Sequence, residues 1–507
     1  MSKHTPSSTP RSDPGFALSR RRLLASAVAA SVGGIAARFG LTRIAHAQTM
    51  GAVASNRRFL FCYFPGGWDQ LLFLDPRDPA RFSDANRATT LIETRYSDLP
   101  AYGFQGMPYA PSGSALTLGP VATRSDVRTV VDRVFARNVP ISLVRGLSMG
   151  TLSHEGAYHY FLTGKPPAGD AARGSSMATE LSATLNGMRT QPITPIPYLA
   201  LGVEGYNDRF PGIFSAVRVD SVDDLSLVLE RDESLREMSG IEDALRQYNG
   251  AGAPCQVNVY DRRGLLSRLR GAKNTANDLL AQNLALSFRF ADEPGMNPPD
   301  GSNVDAVTYG PIRDRIIALR RAFGYGAGDR VDENSPDARA MFAAQAITAK
   351  ISQSVSVAIG NATDTHQAGN RDHAQLLAPG VKALFSLLDL LDQTPAPSDV
   401  GSGSWLANTT VVVFSEFSRT PLFNQFGGRD HHMCNSCLIA GAGIQGNKVI
   451  GASTDVGMAA APYDFTNRRV NVDAGELIKP DHIAATLLAS AGLDFSGTRV
   501  QPLAELL

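Results

Sequence analysis

Five short apolar runs predict buried β-strands along the chain. They lie at residues 59–64, 139–145, 196–203, 409–414 and 436–440. Apolar side chains occupy successive positions in these runs, which is typical of strands that are covered on both faces. The run TTVVVF at 409–414 gives the strongest prediction because its centre is β-branched throughout.

Amphipathic segments between these runs predict helices at residues 121–134, 175–185, 265–290, 338–359, 373–391 and 480–491. Continuous apolar strands that alternate with helices predict an α/β fold, a mainly parallel sheet sandwiched by helices. Residues 204–334 are richer in charge and contain Gly/Pro breaks. We therefore expect them to form an insertion or cap on this α/β core.

The first residues carry three signals of export in the expected order. SRRRLL at 19–24 fits the twin-arginine pattern, a mildly apolar stretch follows, and AHA at 45–47 resembles a cleavage site. These signals predict a signal peptide over residues 1–47, a mature domain over 48–507, and the twin-arginine export machinery as a partner. The expected location is the periplasm or the exterior of a bacterium. The alternative is a basic tail that precedes a core helix.

Charge and cysteine content narrow the classes of partner. The formal net charge is +0. The chain therefore lacks the excess of positive charge that would indicate nucleic acid as a partner. No later apolar run approaches the length of a transmembrane helix, so we expect no membrane anchor in the mature chain. Cys434 and Cys437 form the only CxxC motif, which is weak support for zinc and fits either a disulfide or two free thiols.

Four loops contain the residues that are best suited to chemistry. Functional groups of a parallel sheet gather at the carboxyl ends of its strands. Each loop also has a simpler explanation as a turn, a helix cap or a solvated segment. The candidates are Asp69, the Ser153-His154 pair, Asp364 with His366, and the Asp430-His431 pair.

Histidine content favours a metal site in these loops. The chain has nine histidines, and two of them lie in the predicted signal peptide. Five of the remaining seven fall in or beside the four loops: His154, His366, His373, His431 and His432. Aspartate and histidine together offer the oxygen and nitrogen donors that suit zinc or manganese.

Several longer motifs resemble domain-of-unknown-function family 1501, a family of secreted bacterial proteins. They include FLFCYFPGGWDQL, GLSMGTLSHEGAYHYFLTGKP, DTHQAGN, VVVFSEFSRTPLFNQFGGRDHH and HIAATLLASAGLD. The resemblance extends from about residue 58 to the end of the chain, except for residues 204–334. It implies a sulfatase-like or alkaline-phosphatase-like core that carries two divalent metal ions, with zinc, manganese and calcium left open.

The resemblance also implies roles for the candidate residues. The expected metal ligands are Asp69, His154, Asp364, His366, Asp430 and His431, and Ser153 is the expected nucleophile. The implied activity is hydrolysis of a phosphate or sulfate ester, on a small molecule or a polymer. The sulfatase motif for a formylglycine nucleophile is absent, so that mechanism is not expected.

Three other functions remain open at this point. The chain could be a non-catalytic metal-binding or scaffold protein of the cell envelope. It could be a serine esterase, because GLSMG at 146–150 fits G-x-S-x-G, with Ser148, Asp430 and His482 as a triad. Nucleotide binding through GAGIQG at 441–446 is disfavoured because the next segment resembles a strand, and the motif requires a helix.

Overall fold

The centre of the protein is an eight-stranded sheet. A computed structural model describes residues 56–169, 171–187, 194–222, 284–300 and 304–507. The sheet strands in chain order are β1 (Arg58–Tyr63), β2 (Ile141–Ser148), β3 (Ile196–Leu201), β4 (Val217–Val219), β5 (Ser352–Ala358), β6 (Thr409–Phe414), β9 (Cys434–Gly441) and β10 (Lys448–Ile450). Two short ribbons pair β7 (Ser418–Arg419) with β8 (His431–His432) and β11 (Tyr463–Asp464) with β12 (Arg469–Val470).

The strand order across the sheet is β10-β2-β9-β6-β1-β5-β3-β4. Only β9 runs against its neighbours, β2 and β6, while the other pairs are parallel. The carboxyl ends of β1, β2, β5 and β6 therefore meet at one edge. The predicted α/β fold with a mainly parallel sheet is confirmed.

Helices cover both faces of the sheet. They are α1 (Arg87–Thr90), α2 (Ser125–Ala136), α3 (His154–Thr163), α4 (Met177–Gly187), α5 (Leu284–Ser287), α6 (Ala306–Ala322), α7 (Pro336–Thr348), α8 (Asn370–Gln393) and α9 (Pro480–Ser490). Alternate residues of β1 point to opposite cores. Leu60 packs in the core shared with α2, α7 and α8, whereas Phe59 packs in the core shared with α3, α4 and α9. Burial on both faces explains the continuous apolar runs.

Among the described helices, the longest is α8, which has a mean hydropathy of 1.4 over its most apolar window. This length and composition would suit a membrane span, but 72% of the window is buried inside the protein. The same properties are expected of a central core helix.

The predicted helix at residues 338–359 is wrong in its second half. The helix α7 ends at Thr348, and residues 352–358 form the central strand β5. Lys350 separates the two elements with a φ of 60°, in the left-handed region. Every residue of β5 is buried, including its serines. Periodicity alone therefore could not distinguish this polar-apolar segment from a continuing helix.

The other predicted strands and most predicted helices match observed elements within a few residues. The predicted signal peptide, residues 1–47, and most of the predicted helix at 265–290 lie outside the described residues. Part of the predicted insertion at 204–334 is described. Its strand β4 pairs with β3 at the sheet edge, and Ile316 of α6 packs in the main core.

Cys434 and Cys437 are buried free thiols on β9. Residues three apart on a strand are separated by about 10 Å, which exceeds the reach of a disulfide, about 7 Å between Cα atoms. The two-thiol alternative therefore holds in this fold.

Candidate metal centre

Four side chains from three loops converge at the carboxyl edge of the sheet, and we call them the imidazole site: His154, Asp364, His366 and His431. His154 begins α3, after the β2 loop, and Asp364 and His366 lie between β5 and α8. His431 lies on β8, just before β9. The sequence prediction that these loops share one edge is therefore correct.

The ligand atoms of the imidazole site lie close together. Those of His154, Asp364 and His431 are all within 4.8 Å of one another. The Oδ1 atom of Asp364 is 3.8 Å from Nε2 of both His154 and His431, and 3.2 Å from Nε2 of His366. The Nε2 atoms of His366 and His431 are 2.9 Å apart. Three imidazoles therefore present the same nitrogen, Nε2, to one carboxylate oxygen.

The opposite nitrogen of each imidazole is held by a hydrogen-bond acceptor. Nδ1 of His154 lies 2.7 Å from Oε1 of Glu416, and Nδ1 of His366 lies 2.8 Å from Oδ1 of Asp430. Nδ1 of His431 lies 2.8 Å from the carbonyl oxygen of Leu152. A carbonyl or an ionised carboxylate only accepts, so each Nδ1 must carry the proton.

This tautomer leaves three Nε2 lone pairs and one carboxylate oxygen facing one another. Each is an acceptor when the imidazoles are neutral, so the arrangement has no proton of its own to share at its centre. Burial is the main cause that lowers the pKa of His431, and the charge of Arg419 lowers it further against the opposing hydrogen bond to Leu152, so the neutral form is favoured. The geometry and charge are therefore suited to a bound cation.

One protein cation already reaches the imidazole site. Arg419 is fully buried, and its Nη2 lies 2.6 Å from Oδ1 of Asp364, whose side chain is 51% exposed. Burial alone would raise the pKa of Asp364, but Arg419 and the nearby histidines outweigh it and hold that pKa below its usual value. Arg419 also donates to the carbonyls of Gly66 and Gly67, so it fixes the loop after β1 against Asp364.

Asp430 contacts the imidazole site from outside, at Nδ1 of His366. Its carboxylate, 55% exposed, accepts from Nδ1 of His366 and, at 2.9 Å, from the side-chain amide of Asn424. The hydrogen bond from His366 is the main reason that the pKa of Asp430 is lowered. The sequence predicts Asp430 as a direct metal ligand, and in the structure its carboxylate contacts Nδ1 of His366, the nitrogen that faces away from the imidazole site.

Asp69 is not among the clustered ligand atoms and belongs to a second group, the buried anchor: Asp69, His373 and Arg429. Oδ2 of Asp69 lies 3.0 Å from Nε of Arg429, and both side chains are nearly inaccessible. The backbone N–H of Asp69 donates to Nε2 of His373 at 2.9 Å. Burial lowers the pKa of His373 to about 3, so this imidazole is neutral.

Two glycines allow the loops to approach closely. Gly66 has a φ of 93°, and a Cβ atom there would lie 2.6 Å from the backbone nitrogen of Asp364. A Cβ atom on Gly428 would lie 2.2 Å from the carbonyl oxygen of His366. Side chains at either position would push apart the loops that carry the ligands.

Ser153, the predicted nucleophile, is the N-cap of α3. Its hydroxyl accepts from the backbone N–H of Gly156 at 3.2 Å. The simpler helix-cap interpretation of this residue is therefore correct, and it leaves the nucleophile prediction untested. Ser153 directly precedes His154, at the positive end of the helix dipole.

The residues of the alternative esterase triad have different neighbours. Ser148 ends β2, Asp430 accepts from His366, and His482 stacks on Phe465 near the start of α9. Within the described ranges, no hydrogen bond links these three side chains. The alternative nucleotide motif runs into strand β10 rather than a helix, as expected.

Sequence reasoning did not assign roles to Glu416 and Arg419. Both follow the most strongly predicted strand, β6, and both are buried. Two charged residues directly after a fully buried strand were the available signal, since buried charges require specific partners. Their partners, His154 and Asp364, lie more than 50 residues earlier in the chain.

Comparison with known proteins supports the resemblance over part of the chain. No curated protein matches this chain. Residues 318–505 match the model of a family described as "Protein of unknown function (DUF1501)". The match includes Asp364, His366, Asp430 and His431. It begins at residue 318 and therefore does not include His154. The predicted resemblance to family 1501 is thus confirmed for residues 318–505.

Proposed function

We propose that the imidazole site binds one divalent transition-metal ion and that the loaded protein hydrolyses a phosphate or sulfate ester. The observation that carries this proposal is the convergence of three Nε2 atoms and one carboxylate oxygen, with every Nδ1 held by an acceptor. Protein metal sites use the same second layer of acceptors to fix imidazole ligands.

The spacing of the donors fits the proposed ion. Ligand atoms around a tetrahedral zinc ion, at about 2.0–2.1 Å from it, are about 3.3–3.4 Å apart. The observed separations from Oδ1 of Asp364 to the three imidazoles are 3.2 to 3.8 Å, and the Nε2 atoms of His366 and His431 are 2.9 Å apart. Shifts of less than about 1 Å in these separations would bring them to the spacing around such an ion. Three nitrogen donors favour zinc over manganese, which prefers oxygen ligands, and over calcium, which takes six to eight of them.

We propose one ion because Asp69 forms an ion pair with Arg429, and Asp430 accepts a hydrogen bond from His366. The superfamily resemblance implied two ions, with both aspartates as ligands. The alkaline-phosphatase-like relationship remains part of the proposal, and the mainly parallel sheet with its ligands at one edge is compatible with it.

Ester hydrolysis follows from the chemistry that such a site provides. A bound divalent ion would act as a Lewis acid and lower the pKa of a water molecule or hydroxyl. The N-terminus of α3 adds backbone N–H groups and a positive dipole end, which favour an anionic ester. Ser153 stands at that terminus and is the candidate nucleophile.

A second function, non-catalytic metal binding, is favoured by one feature of the same geometry. If all four side chains of the imidazole site bind a tetrahedral ion, no position is left for water or substrate. Closed sites of this kind are structural in zinc proteins, whereas catalytic sites keep one position open. If Oδ1 of Asp364 stays with Nη2 of Arg419, 2.6 Å away, and does not bind the ion, one such position stays open.

The test is hydrolysis of aryl phosphate and aryl sulfate esters by the zinc-loaded chain. The hydrolase proposal expects turnover that His431→Ala abolishes and that His432→Ala retains. His432 is a matched control because it adjoins His431 but hydrogen-bonds to Cys434 instead. Zinc binding without turnover of either ester class would overturn the hydrolase proposal in favour of a structural site.

A further inference from the structure

Glu416 is a buried carboxylate directly behind His154. Its side chain is 1% exposed. Its Oε1 atom accepts from Nδ1 of His154 at 2.7 Å and from the backbone N–H of Gly66 at 2.8 Å. Its Oε2 atom lies 2.8 Å from the hydroxyl of Ser415. The carboxylate therefore connects the start of α3 to the turn that follows β1.

No lysine or arginine forms an ion pair with Glu416 in the described part of the chain. A buried carboxylate without a cation is costly unless hydrogen bonds or a nearby positive charge compensate for it. The one basic side chain paired with it there is the imidazole of His154, which carries no charge in its Nδ1–H tautomer. A cation on the far nitrogen of His154 would supply the missing positive charge through the ring.

We infer that Glu416 is a positioning residue for metal binding. It keeps the proton of His154 on Nδ1, aims Nε2 at the imidazole site, and strengthens that nitrogen as a donor. This inference rests on the proposed metal site and adds a residue that is not itself a ligand. A carboxylate that holds an imidazole ligand in this way raises its basicity and fixes its ring.

The same turn is held from the other side by Arg419. Glu416 holds the N–H of Gly66, while Arg419 holds the carbonyls of Gly66 and Gly67 and contacts Asp364. The two buried charges therefore lock one glycine turn between two ligands, His154 and Asp364. This gives the Gly66-Gly67 motif a role in positioning the ligands, although Asp69 lies outside the imidazole site.

The substitution Glu416→Gln tests the charge with little change in shape. The amide oxygen can still accept from His154 and Gly66. The amide N–H can donate to Ser415, whose own hydroxyl can then donate to the carbonyl of Phe64, 2.7 Å away. Tyr63, whose hydroxyl also interacts with Glu416, can accept as well as donate.

We expect Glu416→Gln to weaken zinc binding by about 10- to 100-fold while the chain stays folded. The dissociation constant is measured by competition with a chromogenic chelator. Glu93→Gln is the matched control, because Glu93 is also buried but pairs with Arg95 instead of an imidazole. Equal zinc affinity in wild type and Glu416→Gln would overturn the inference.

A second measurement needs no metal. The ¹⁵N shifts of His154 in the metal-free chain report which ring nitrogen carries the proton. We expect Nδ1–H in wild type and a shift toward Nε2–H in Glu416→Ala. An unchanged tautomer in a folded Glu416→Ala chain would overturn the positioning role. Failure of wild type to bind zinc would instead overturn the proposed function, and the tautomer would still test Glu416.

Discussion

The imidazole site and the buried anchor contain the same kinds of residue but have opposite environments. Both combine aspartate and histidine near one sheet edge, and in both the aspartate contacts a buried arginine. In the imidazole site, the four side chains are 20–51% exposed, and the Nε2 atoms of the imidazoles face one another. In the anchor, Asp69 and Arg429 are at most 3% exposed and neutralise each other. Residue type and loop position therefore do not identify a metal site on their own.

The two groups differ in whether a protein side chain or N–H group already contacts the atoms that could bind a metal ion. In the anchor, Arg429 forms an ion pair with Asp69, and Nε2 of His373 accepts a hydrogen bond from the backbone N–H of Asp69. The imidazole site keeps its Nε2 lone pairs, with only Asp364 in contact with a guanidinium. The comparison therefore predicts that changes in the anchor affect stability, whereas changes in the imidazole site affect metal binding.

The largest expected effect is a loss of stability in Asp69→Asn. The substitution removes the carboxylate that forms an ion pair with the buried guanidinium of Arg429, and breaking a buried ion pair costs about 3–5 kcal/mol. Urea denaturation should show this loss, while Asp430→Asn, at an exposed carboxylate, should change stability by less than about 1 kcal/mol. A stable Asp69→Asn chain that has lost its metal would restore Asp69 as a ligand and break the comparison.

His373 should make the anchor sensitive to acid. Its folded-state pKa is about 3, below the ordinary value of 6.5. Between those values the unfolded chain binds a proton that the folded chain does not, so stability falls as the pH falls from 6.5 toward 3. The cost is about 1.4 kcal/mol for each unit of pH in that window.

Denaturation at pH 7, 5 and 4 measures this dependence. His373→Gln removes the titrating group and should flatten the dependence of unfolding free energy on pH below 6.5, even if the variant is less stable at pH 7. Identical slopes for wild type and His373→Gln would show that the anchor imidazole titrates normally.

A smaller effect, on metal affinity, is expected from a change at Asp430, which contacts the imidazole site from outside. Asp430→Asn removes the charge that holds Nδ1 of His366, and such changes weaken metal binding about 10- to 100-fold. Chelator competition gives the affinity, with Asp372→Asn as the control, because Asp372 pairs with Arg371. Complete loss of the metal would instead favour Asp430 as a direct ligand.

Ser153→Ala has the smallest expected effect on stability, about 1 kcal/mol, the usual cost of removing an N-cap. Thermal or urea unfolding measures it. The same variant separates two roles of the hydroxyl. Loss of ester hydrolysis with metal content retained would identify Ser153 as the nucleophile, and unchanged hydrolysis would leave it only the cap of α3.

Much of the fold was predictable because burial on both faces leaves a clear mark on a strand. TTVVVF became β6 with the predicted bounds. The strand β5 was not predicted because its serines, all buried, gave the segment a mixed polar and apolar pattern that resembled a continuing helix. Two of its serines find partners only in the folded protein: Ser354 with Ser182 of α4, and Ser356 with Tyr198 of β3.

The site was predictable as far as chain topology determines it. Loops at the ends of parallel strands had to share an edge, and this brought His154, Asp364, His366 and His431 together. Sequence could not separate Asp69 from them, because the ion pair with Arg429 joins residues 360 positions apart. Nor could it show which imidazole nitrogen faces inward, since that depends on side-chain acceptors such as Glu416.

Metal content tests the central claim most directly. We would load the wild-type chain and two variants, His431→Ala and Asp69→Asn, with zinc and remove the excess metal. Elemental mass spectrometry then gives the zinc content of each. We predict about one zinc ion per chain in wild type and in folded Asp69→Asn, and none in His431→Ala. No zinc in wild type, or equal zinc in wild type and His431→Ala, would contradict the assignment of the imidazole site.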